Sequence, residues 1–359
     1  MKKIIINGVT LAKKEIYGVQ RHTYEILKEL DGMIGKNEVE VVVPKKAERK
    51  LGFKNITLTF IDIDVNNKKA LFIWNLLGFH RFCKKRGGIS ADLTLSYPML
   101  GSDITAVYDC IVEKIRQNSV SFPQKIKRAL HIARVFINLK RAKHVITCSR
   151  NSKKDICRFY RISPEKVSVI YSAWQHFESI KTDGSVLERL GLEKGKYCFS
   201  LGSRFYHKNF RWIAAAASQN PQYKFVISGS SLLSTSDDLL NSEAPDNLIF
   251  AGYLKDEEVK ALMRSCRVFI LPSLYEGFGI PPMEAMSTGA RCIVSDTSSL
   301  PEVYGDSVYY IDPRRYNGID IDRIISAEIM DNSEVLNRFS WKKSAYRFKK
   351  VIDGLQGNE

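Results

Sequence analysis

The sequence of 359 residues lacks a long hydrophobic run. Its longest candidate for a membrane span, residues 70–79, is interrupted by Asn75 and is about half the ~20 residues that a spanning helix needs. The apolar run at residues 4–6 is also shorter than the ~7–15 residues of a signal-peptide core. We therefore expect residues 3–7 to form a buried strand and the protein to be cytoplasmic.

Metal-binding and disulfide patterns are also missing. The seven cysteines are odd in number and include no Cys-x-x-Cys, and the six histidines show no spacing typical of metal ligands. Residues 62–64 and 320–322 spell Asp-x-Asp, but neither ends a convincing buried strand beside other ligands. We expect neither a disulfide framework nor a metal site.

Acidic residues are absent from residues 114–154, which contain twelve Lys and Arg. The formal charge of +16 lies in the first half of the chain, with +17 in residues 1–178 and −1 in residues 179–359. Such a field attracts phosphate groups of nucleic acid, anionic lipid or a pyrophosphate substrate. The alternative is a solvated basic face.

Strand-like and helix-like segments alternate along the whole chain, which predicts parallel sheets built from βαβ units. The predicted strands are residues 3–7, 39–43, 93–97, 105–108, 144–148, 167–171, 197–201, 223–228, 247–251, 267–271, 291–295 and 308–311. The predicted helices are residues 18–30, 211–218, 256–265, 281–287 and 339–355. Because ligands of such sheets lie beyond the carboxyl ends of the strands, we expect the site in the loops after Leu201, Ser228, Ala251 and Leu271.

Two acids with seven residues between them, Glu276 and Glu284, flank a segment rich in glycine and proline. A predicted strand delivers Glu276 to the edge of the sheet, and Gly277 and Gly279 let a ligand approach the backbone closely. The prolines at 281–282 suit the first turn of a helix, whose amides and dipole favour a diphosphate. The alternative is a tight turn in which Glu276 only caps the helix.

The segment Glu-Gly-Phe-Gly-Ile-Pro-Pro-Met-Glu-Ala-Met at 276–286 resembles the Glu-x7-Glu signature of retaining GT-B glycosyltransferases of family 4. The resemblance extends over nearly the whole chain. Residues 201–209 resemble the family's diphosphate-binding loop, 250–258 its base-binding turn and next helix, 145–171 the end of its acceptor domain, 18–21 its first glycine loop and 339–341 the start of its last helix.

The resemblance implies roles for individual residues. Glu276 would contact hydroxyls of the donor sugar, and Glu284 would hold the ribose. Lys208, with Arg204 as a second cation, would stabilise the departing diphosphate, since a leaving group that gains negative charge needs fixed positive charge. The other implied donor-binding residues are Gly18, Gly202, Ser203, Gly252, Tyr253, Leu254, Phe278, Gly279 and Ile280, the last three through their backbone.

One position departs from the family pattern. Many relatives carry a His-Asp pair in the N-terminal domain, with the His near the reacting sugar. Here Tyr108 replaces the His, and Asp109 remains. Asp109 would orient the acceptor hydroxyl or cap its strand, so Tyr108 and Asp109 are both candidates for assisting catalysis.

The resemblance also implies the fold and the reaction. The fold is α/β of the GT-B type, with two Rossmann-like doubly wound domains facing across a cleft. Residues 1–172 with 339–359 would form the acceptor-side domain, and 173–338 the nucleotide-sugar domain, with a C-terminal helix that crosses back to the first. A hexose or N-acetylhexosamine would pass from a UDP- or GDP-sugar to a glycan, with no cofactor.

Residues 68–86 and 114–154 mix basic residues with aromatic and aliphatic ones. Basic amphipathic helices of this kind bind anionic membrane interfaces, although apolar stripes more often face a domain's own core. We expect peripheral binding at the inner face of the cell membrane. The acceptor would then be a polyprenyl-linked or other lipid-linked glycan of bacterial surface polysaccharide.

Two other classes of protein compete with the transferase. One is another sugar-nucleotide enzyme with two Rossmann-like domains, such as an epimerase or a phosphorylase; a phosphorylase needs a covalent pyridoxal lysine. The other is a nucleic-acid-binding protein, suggested by charge alone. The chain has no recognisable nucleic-acid module, and its cations are not interleaved with a stacking platform, so we expect no nucleic-acid partner.

Overall fold

A computed structural model describes residues 2–13, 16, 18–47, 50–119, 121–202, 205–229 and 244–357. The chain divides into two compact units. The first contains Met1–Cys110, Ile126–Ser172 and Trp341–Glu359, and the second contains Ile111–Lys125 and Ala173–Ser340. Residues 111–125 thus group with the second unit, whereas the sequence division at 172 places them with the first.

The strands are β1 (Ile4–Asn7), β2 (Val39–Pro44), β3 (Thr57–Ile61), β4 (Ile89–Asp92), β5 (Ile104–Ala106), β6 (His144–Thr147), β7 (Val167–Val169), β8 (Tyr197–Leu201), β9 (Lys224–Ser228), β10 (Leu248–Gly252), β11 (Val268–Leu271), β12 (Cys292–Ser295) and β13 (Tyr309–Ile311). The helices are α1 (Gly18–Leu30), α2 (Lys68–Ile73), α3 (Phe79–Arg86), α4 (Ile111–Lys114), α5 (Phe122–Arg141), α6 (Arg150–Tyr160), α7 (Ser185–Arg189), α8 (Phe210–Gln219), α9 (Asp256–Ser265), α10 (Ile280–Ser287), α11 (Leu300–Tyr304), α12 (Ile321–Ile325), α13 (Asn332–Arg338) and α14 (Trp341–Gly357).

The described part of the first unit contains a seven-stranded parallel sheet in the order β3-β2-β1-β4-β5-β6-β7. The interior strand β1 pairs with β2 through Ile4 and Val39 and with β4 through Ile4 and Ile89. All four residues of β1 are buried, as expected for a strand covered on both faces. The order is that of a doubly wound Rossmann-like sheet.

The second unit repeats this arrangement with six strands among the described residues, in the order β10-β9-β8-β11-β12-β13. Its neighbouring strands are all parallel. Large buried side chains such as Trp212, Phe225 and Ile270 form the core on one face of this sheet. The predicted α/β class with two Rossmann-like sheets is therefore confirmed.

The prediction of a strand at residues 93–97 is wrong. The strand is β4, which ends at Asp92, and the chain then turns with positive φ angles at Leu95 and Tyr97. The buried Asp92 carboxylate accepts hydrogen bonds from the backbone N–H of Ser96 at 3.3 Å and of Tyr97 at 2.7 Å. A side chain that binds the following amides holds the chain in a turn, which explains why apolar residues here do not extend the strand.

No helix in the part of the chain that the structure describes is both long enough and apolar enough to cross a membrane.

Candidate active site

The candidate site lies where the strand order of the second unit reverses. Strands β8 and β11 are neighbours, although β9 to β10 and β12 to β13 lead away from them in opposite directions. The loops that leave their carboxyl ends therefore border the crevice in which doubly wound sheets bind ligands. The described parts of these loops, residues 202, 205–209 and 272–279, contain Lys208 and Glu276, two of the polar residues that the sequence singles out.

A buried ion pair joins the two loops. The Lys208 ammonium lies 2.7 Å from Oε1 of Glu276, and the Ser273 hydroxyl donates to the same oxygen at 2.6 Å. Burial alone would raise the pKa of Glu276, but the charge of Lys208 and these hydrogen bonds lower it below its usual value. The site thus holds an ionised carboxylate next to a fixed cation.

Local contacts fix the position of both partners. The side-chain stem of Lys208 packs on Gly202, where an added Cβ would lie 3.4 Å from its Cδ. The backbone N–H of Leu274 donates to the His207 carbonyl at 2.7 Å and ties the loops together. Glu276 donates its own N–H to the Ser298 hydroxyl at 2.9 Å. The pair is therefore held by its surroundings before any ligand arrives.

Gly279 sets the start of helix α10. Its φ of 80° lies in the left-handed region, and an added Cβ would stand 2.7 Å from Cδ2 of the buried Leu300. The Tyr304 hydroxyl donates to the Gly279 carbonyl and accepts the N–H of Met283 at 3.2 Å. No described side chain caps this helix end, and the prolines at 281–282 have no N–H. The amides of Gly279 and Ile280 are thus the donors at a positively polarised helix terminus.

Glu284 lies one turn into α10 and contacts a histidine that the sequence does not reveal. The Nε2 atom of His176 lies 2.8 Å from Oε1 of Glu284, and both side chains are largely buried. His176 is far away in the sequence but belongs to the same unit. Because the contact engages one carboxylate oxygen, it fixes the orientation of the Glu284 side chain on the helix.

The turn after β10 adjoins the end of β9 and the next residue, Gly229. Gly252 has a φ of 67°, and its carbonyl accepts the N–H of Gly229 and the Ser228 hydroxyl at 2.9 and 3.0 Å. Tyr253 is 54 % exposed, whereas Leu254 is buried. The predicted base-binding turn is therefore an ordered loop at the carboxyl edge of the same sheet, with an exposed aromatic ring.

The remaining predicted residues fall in the first unit or outside the described ranges. Gly18 begins α1 with a φ of 39°, and Asp109 is partly buried after β5. The Tyr108 hydroxyl donates to the Leu93 carbonyl at 3.0 Å, so this phenol already has an internal partner. Ser203 and Arg204 lie outside the described residues.

Within the described ranges, no group of three or more His, Cys, Asp or Glu side chains could hold a metal ion. Three of the four acids in the Asp-x-Asp strings have hydrogen-bond partners. Asp322 accepts from Tyr223 at 2.7 Å and Arg267 at 3.0 Å, while Asp320 caps α12 and Asp64 accepts from the Asn66 amide.

Two further residues at the site were missed by sequence reasoning. Ser273 binds Glu276, and its place directly after a buried strand was the available signal. Lys114 lies with its ammonium 5.1 Å from the centroid of the Tyr275 ring, beside Glu276. The turn Arg116–Asn118 also contacts the turn Tyr206–Lys208. Residues 111–118 therefore form part of the surroundings of the candidate site.

Two buried histidines predict how stability depends on pH. Burial lowers the pKa of His207 to about 4, and burial lowers that of His22, which packs between Tyr108 and Trp341, to about 3. Because both lie below the unfolded value of 6.5, the unfolded state takes up protons first as the pH falls. The unfolding free energy should fall by ~1.4 kcal/mol per pH unit for each histidine between about pH 6.5 and 4.

Chemical denaturation at pH 7, 6 and 5 measures this slope. The variant His22→Asn should lose the contribution of one histidine to the slope, whatever its stability at pH 7. An unchanged slope in His22→Asn would contradict the assignment of a neutral, buried ring at this position.

Comparison with known proteins gives a family match for much of the second half of the chain. Residues 187–343 match the family described as "Glycosyl transferases group 1". The match spans Lys208, Glu276 and Glu284, so the group 1 region and the candidate site coincide.

Two curated relatives illustrate what this chain is similar to. It is 30 % identical over 181 residues to the O-antigen chain mannosyltransferase RfbU of Salmonella typhimurium, an alignment that covers 49 % of each chain. It is 28 % identical over 204 residues to the UDP-Gal:alpha-D-GlcNAc-diphosphoundecaprenol alpha-1,3-galactosyltransferase of Escherichia coli, covering 52 % of this chain and 51 % of the relative. The chain thus matches only about half the length of these relatives.

Solved structures show the same fold over the full length. Sucrose-phosphate synthase from Thermosynechococcus elongatus aligns with a TM-score of 0.75 at 16 % identity, covering 100 % of both chains. WaaG, a glycosyltransferase involved in lipopolysaccharide biosynthesis, aligns with a TM-score of 0.66 at 14 % identity over 99 % of this chain and 100 % of its own. The chain therefore has the GT-B fold.

Proposed function

We propose that the protein is a retaining glycosyltransferase that moves a hexose from a nucleotide-diphosphate sugar to a lipid-linked glycan in bacterial surface polysaccharide synthesis. The observation that carries this proposal is the Lys208–Glu276 pair at 2.7 Å, beside the start of α10. A cation, helix amides and an ionised acid converge there on one crevice. A sugar diphosphate offers a complementary surface, with phosphates for the cation and amides and hydroxyls for the acid.

In this proposal the bond between the anomeric carbon and the diphosphate oxygen breaks. The acceptor oxygen forms the new bond on the same face of the sugar, and the acceptor's proton ends on the released diphosphate or in water. Lys208 and the amides of Gly279 and Ile280 stabilise the charge that develops on the leaving diphosphate. Glu276 binds a sugar hydroxyl and opposes the positive charge that develops at the anomeric carbon. Glu284, oriented by His176, holds the ribose diol.

The names of two relatives support the proposed donor and acceptor classes. The name of one relative specifies a mannosyltransferase, and that of the other a UDP-Gal donor and an acceptor on diphosphoundecaprenol. We propose a mannosyl or galactosyl donor carried on GDP or UDP, with N-acetylhexosamine as the alternative sugar, and an acceptor linked to a polyprenyl diphosphate. Neither a cofactor nor a metal enters the proposed steps.

Ligand-dependent unfolding tests the donor site directly. We expect either GDP or UDP to bind. At a concentration about 100-fold above its Kd, that nucleotide should stabilise the protein by ~2.7 kcal/mol, which is measured as a rise in Tm. Lys208→Met should lose this shift, whereas Lys194→Met, at an exposed lysine, removes the same charge and should keep it. A shift from inorganic phosphate equal to that from either nucleotide, or no shift from either, would contradict the proposal.

The reaction itself is tested by mixing donor and acceptor and following the anomeric proton by NMR. A transferase releases nucleoside diphosphate only when the acceptor is present and keeps the donor's anomeric configuration. An inverted product would reject the retaining assignment, and an isomerised donor without acceptor would favour the epimerase alternative.

A further inference from the structure

One face of helix α5 exposes apolar side chains where a surface helix normally carries polar ones. Ile126 is 46 % exposed, Leu130 60 % and Phe136 45 %. Ala129 and Ala133 are exposed between them. At 3.6 residues per turn, these five residues fall within a sector of about 120°, and they form one stripe along the helix, called here the docking face.

The opposite face of α5 is fixed to the first unit. Val135 and Leu139 are buried in its core. The Arg134 guanidinium donates to the carbonyls of Ser96 and Tyr97 at 2.6 and 2.9 Å, and the Asn138 amide donates to that of Pro98 at 3.0 Å. These contacts fix the rotation of the helix, so the docking face cannot turn inward to bury itself.

Cations border the docking face, and helix α5 itself contains no acidic residue. Lys127, Lys140 and Arg141 are exposed on α5, and the Lys140 ammonium lies 5.6 Å from the centroid of the Phe136 ring. Acidic residues are absent from the sequence between residues 114 and 154. The docking face therefore combines apolar side chains with a positive rim.

A second exposed apolar pair belongs to the same unit. Phe72 and Ile73, at the end of α2, are 58 % and 61 % exposed. The loop of residues 96–101 links their neighbourhood to α5, because Met99 donates its N–H to the Asn75 carbonyl at 3.3 Å and accepts from Arg141 at 3.1 Å. Trp74 and Phe79 of the same segment are buried in the core, and Leu71 and Phe82 pack against it half-buried.

We propose that the docking face seats on an anionic lipid bilayer, with Ile126, Leu130 and Phe136 in the interface and the cations on lipid phosphates. The positive charge around the docking face favours an anionic bilayer over other partners. In a symmetric dimer a second copy would present the same face and bring like charges together. A nucleic acid would gain little from aliphatic side chains, which offer no stacking surface. An anionic bilayer accepts the apolar side chains in its interface and binds the cations through lipid phosphates. Each cation near the lipid headgroups raises the partition coefficient about fivefold.

Vesicle co-sedimentation of the full chain at low salt tests the proposal. Vesicles of phosphatidylcholine with about one third phosphatidylglycerol should bind the protein, and phosphatidylcholine alone should bind it at least ~10-fold more weakly. The triple variant Ile126→Ser, Leu130→Ser, Phe136→Ser should reduce binding to the anionic vesicles at least ~10-fold. The double variant Lys127→Gln, Lys140→Gln should reduce the preference for anionic lipid.

Tyr346→Ser provides the matched control. Tyr346 on α14 belongs to the same unit and is 55 % exposed. The ammonium of Lys350, four residues later, lies 4.9 Å from the centroid of the Tyr346 ring, so the pair resembles Phe136 and Lys140. This variant should bind vesicles as the unaltered protein does. Equal loss in this control, or equal binding to neutral and anionic vesicles, would overturn the proposal.

Two further readouts distinguish lipid binding by the docking face from self-association and from misfolding of a variant. If the triple variant converts a dimer to a monomer without lipid, the face joins copies of the chain, and the proposal is wrong. Far-ultraviolet circular dichroism and Tm should be unchanged in the double lysine variant, which keeps the test valid should the triple variant misfold. Vesicle binding is measured without donor or acceptor, so its outcome is independent of the proposed transferase activity.

Discussion

Replacing Glu276 by glutamine is expected to lower kcat by about 100- to 1,000-fold while free nucleoside diphosphate binds as tightly as before, or more tightly. Glutamine keeps the shape of the side chain and removes its charge. That charge contacts Lys208 and, in the proposed mechanism, opposes the positive charge that develops on the sugar, so its loss should weaken binding of the transition state most. In the ground state, the same substitution removes a neighbour that repels phosphate and frees Lys208 to bind it.

Steady-state kinetics and nucleotide titration together test whether kcat falls while the affinity for nucleotide does not. Lys208→Met should lower kcat and also weaken nucleotide binding, because the cation serves the diphosphate in both states. The double variant Glu276→Gln, Lys208→Met should lose less than the two single effects combined, since the residues are in contact. Glu334→Gln, at an exposed acid in the first turn of α13, is the charge-matched control. Unchanged turnover in Glu276→Gln would remove the basis of the proposed function.

Local signals explain why the sequence predicts the region around Glu276. A buried strand, two glycines and two prolines act within a short segment, and α10 begins at Ile280, one residue from the prediction. Helices α1 and α9 have the predicted bounds for the same reason, because their apolar spacing and first-turn residues are contiguous in the chain. Such features depend little on distant residues.

Contacts between distant parts of the chain could not be predicted in this way. His176 meets Glu284, and Lys114 meets Tyr275, only because the fold brings separate segments together. No single sequence carries a signal for such pairs without knowledge of strand order. The same applies to β3, which is half-exposed at the edge of its sheet and was not predicted. At residues 93–97, the hydrogen bonds of one side chain, Asp92, override the apolar pattern.

Gly279→Ala is expected to destabilise the protein by ~2–5 kcal/mol and to weaken nucleoside diphosphate binding. The left-handed φ of 80° costs an L-residue ~1–2 kcal/mol, and the added methyl meets Leu300, which is fully buried and cannot move aside freely; overpacking of this kind costs ~1–3 kcal/mol. Either the turn or Leu300 must shift. A shifted turn moves the amides of Gly279 and Ile280, which the proposed diphosphate contacts.

A comparison with Gly289, which lies beyond the other end of the same helix, distinguishes the cost of backbone strain from the cost of overpacking. Its φ of 86° matches that of Gly279, but an added Cβ there meets no atom within 4 Å. Gly289→Ala should therefore cost only the ~1–2 kcal/mol of backbone strain and leave nucleotide affinity unchanged. Chemical denaturation and nucleotide titration of both variants give the difference. If the two variants lose equal stability and bind nucleotide equally well, the contact with Leu300 is not what fixes the start of α10, and the helix terminus is not part of the donor site.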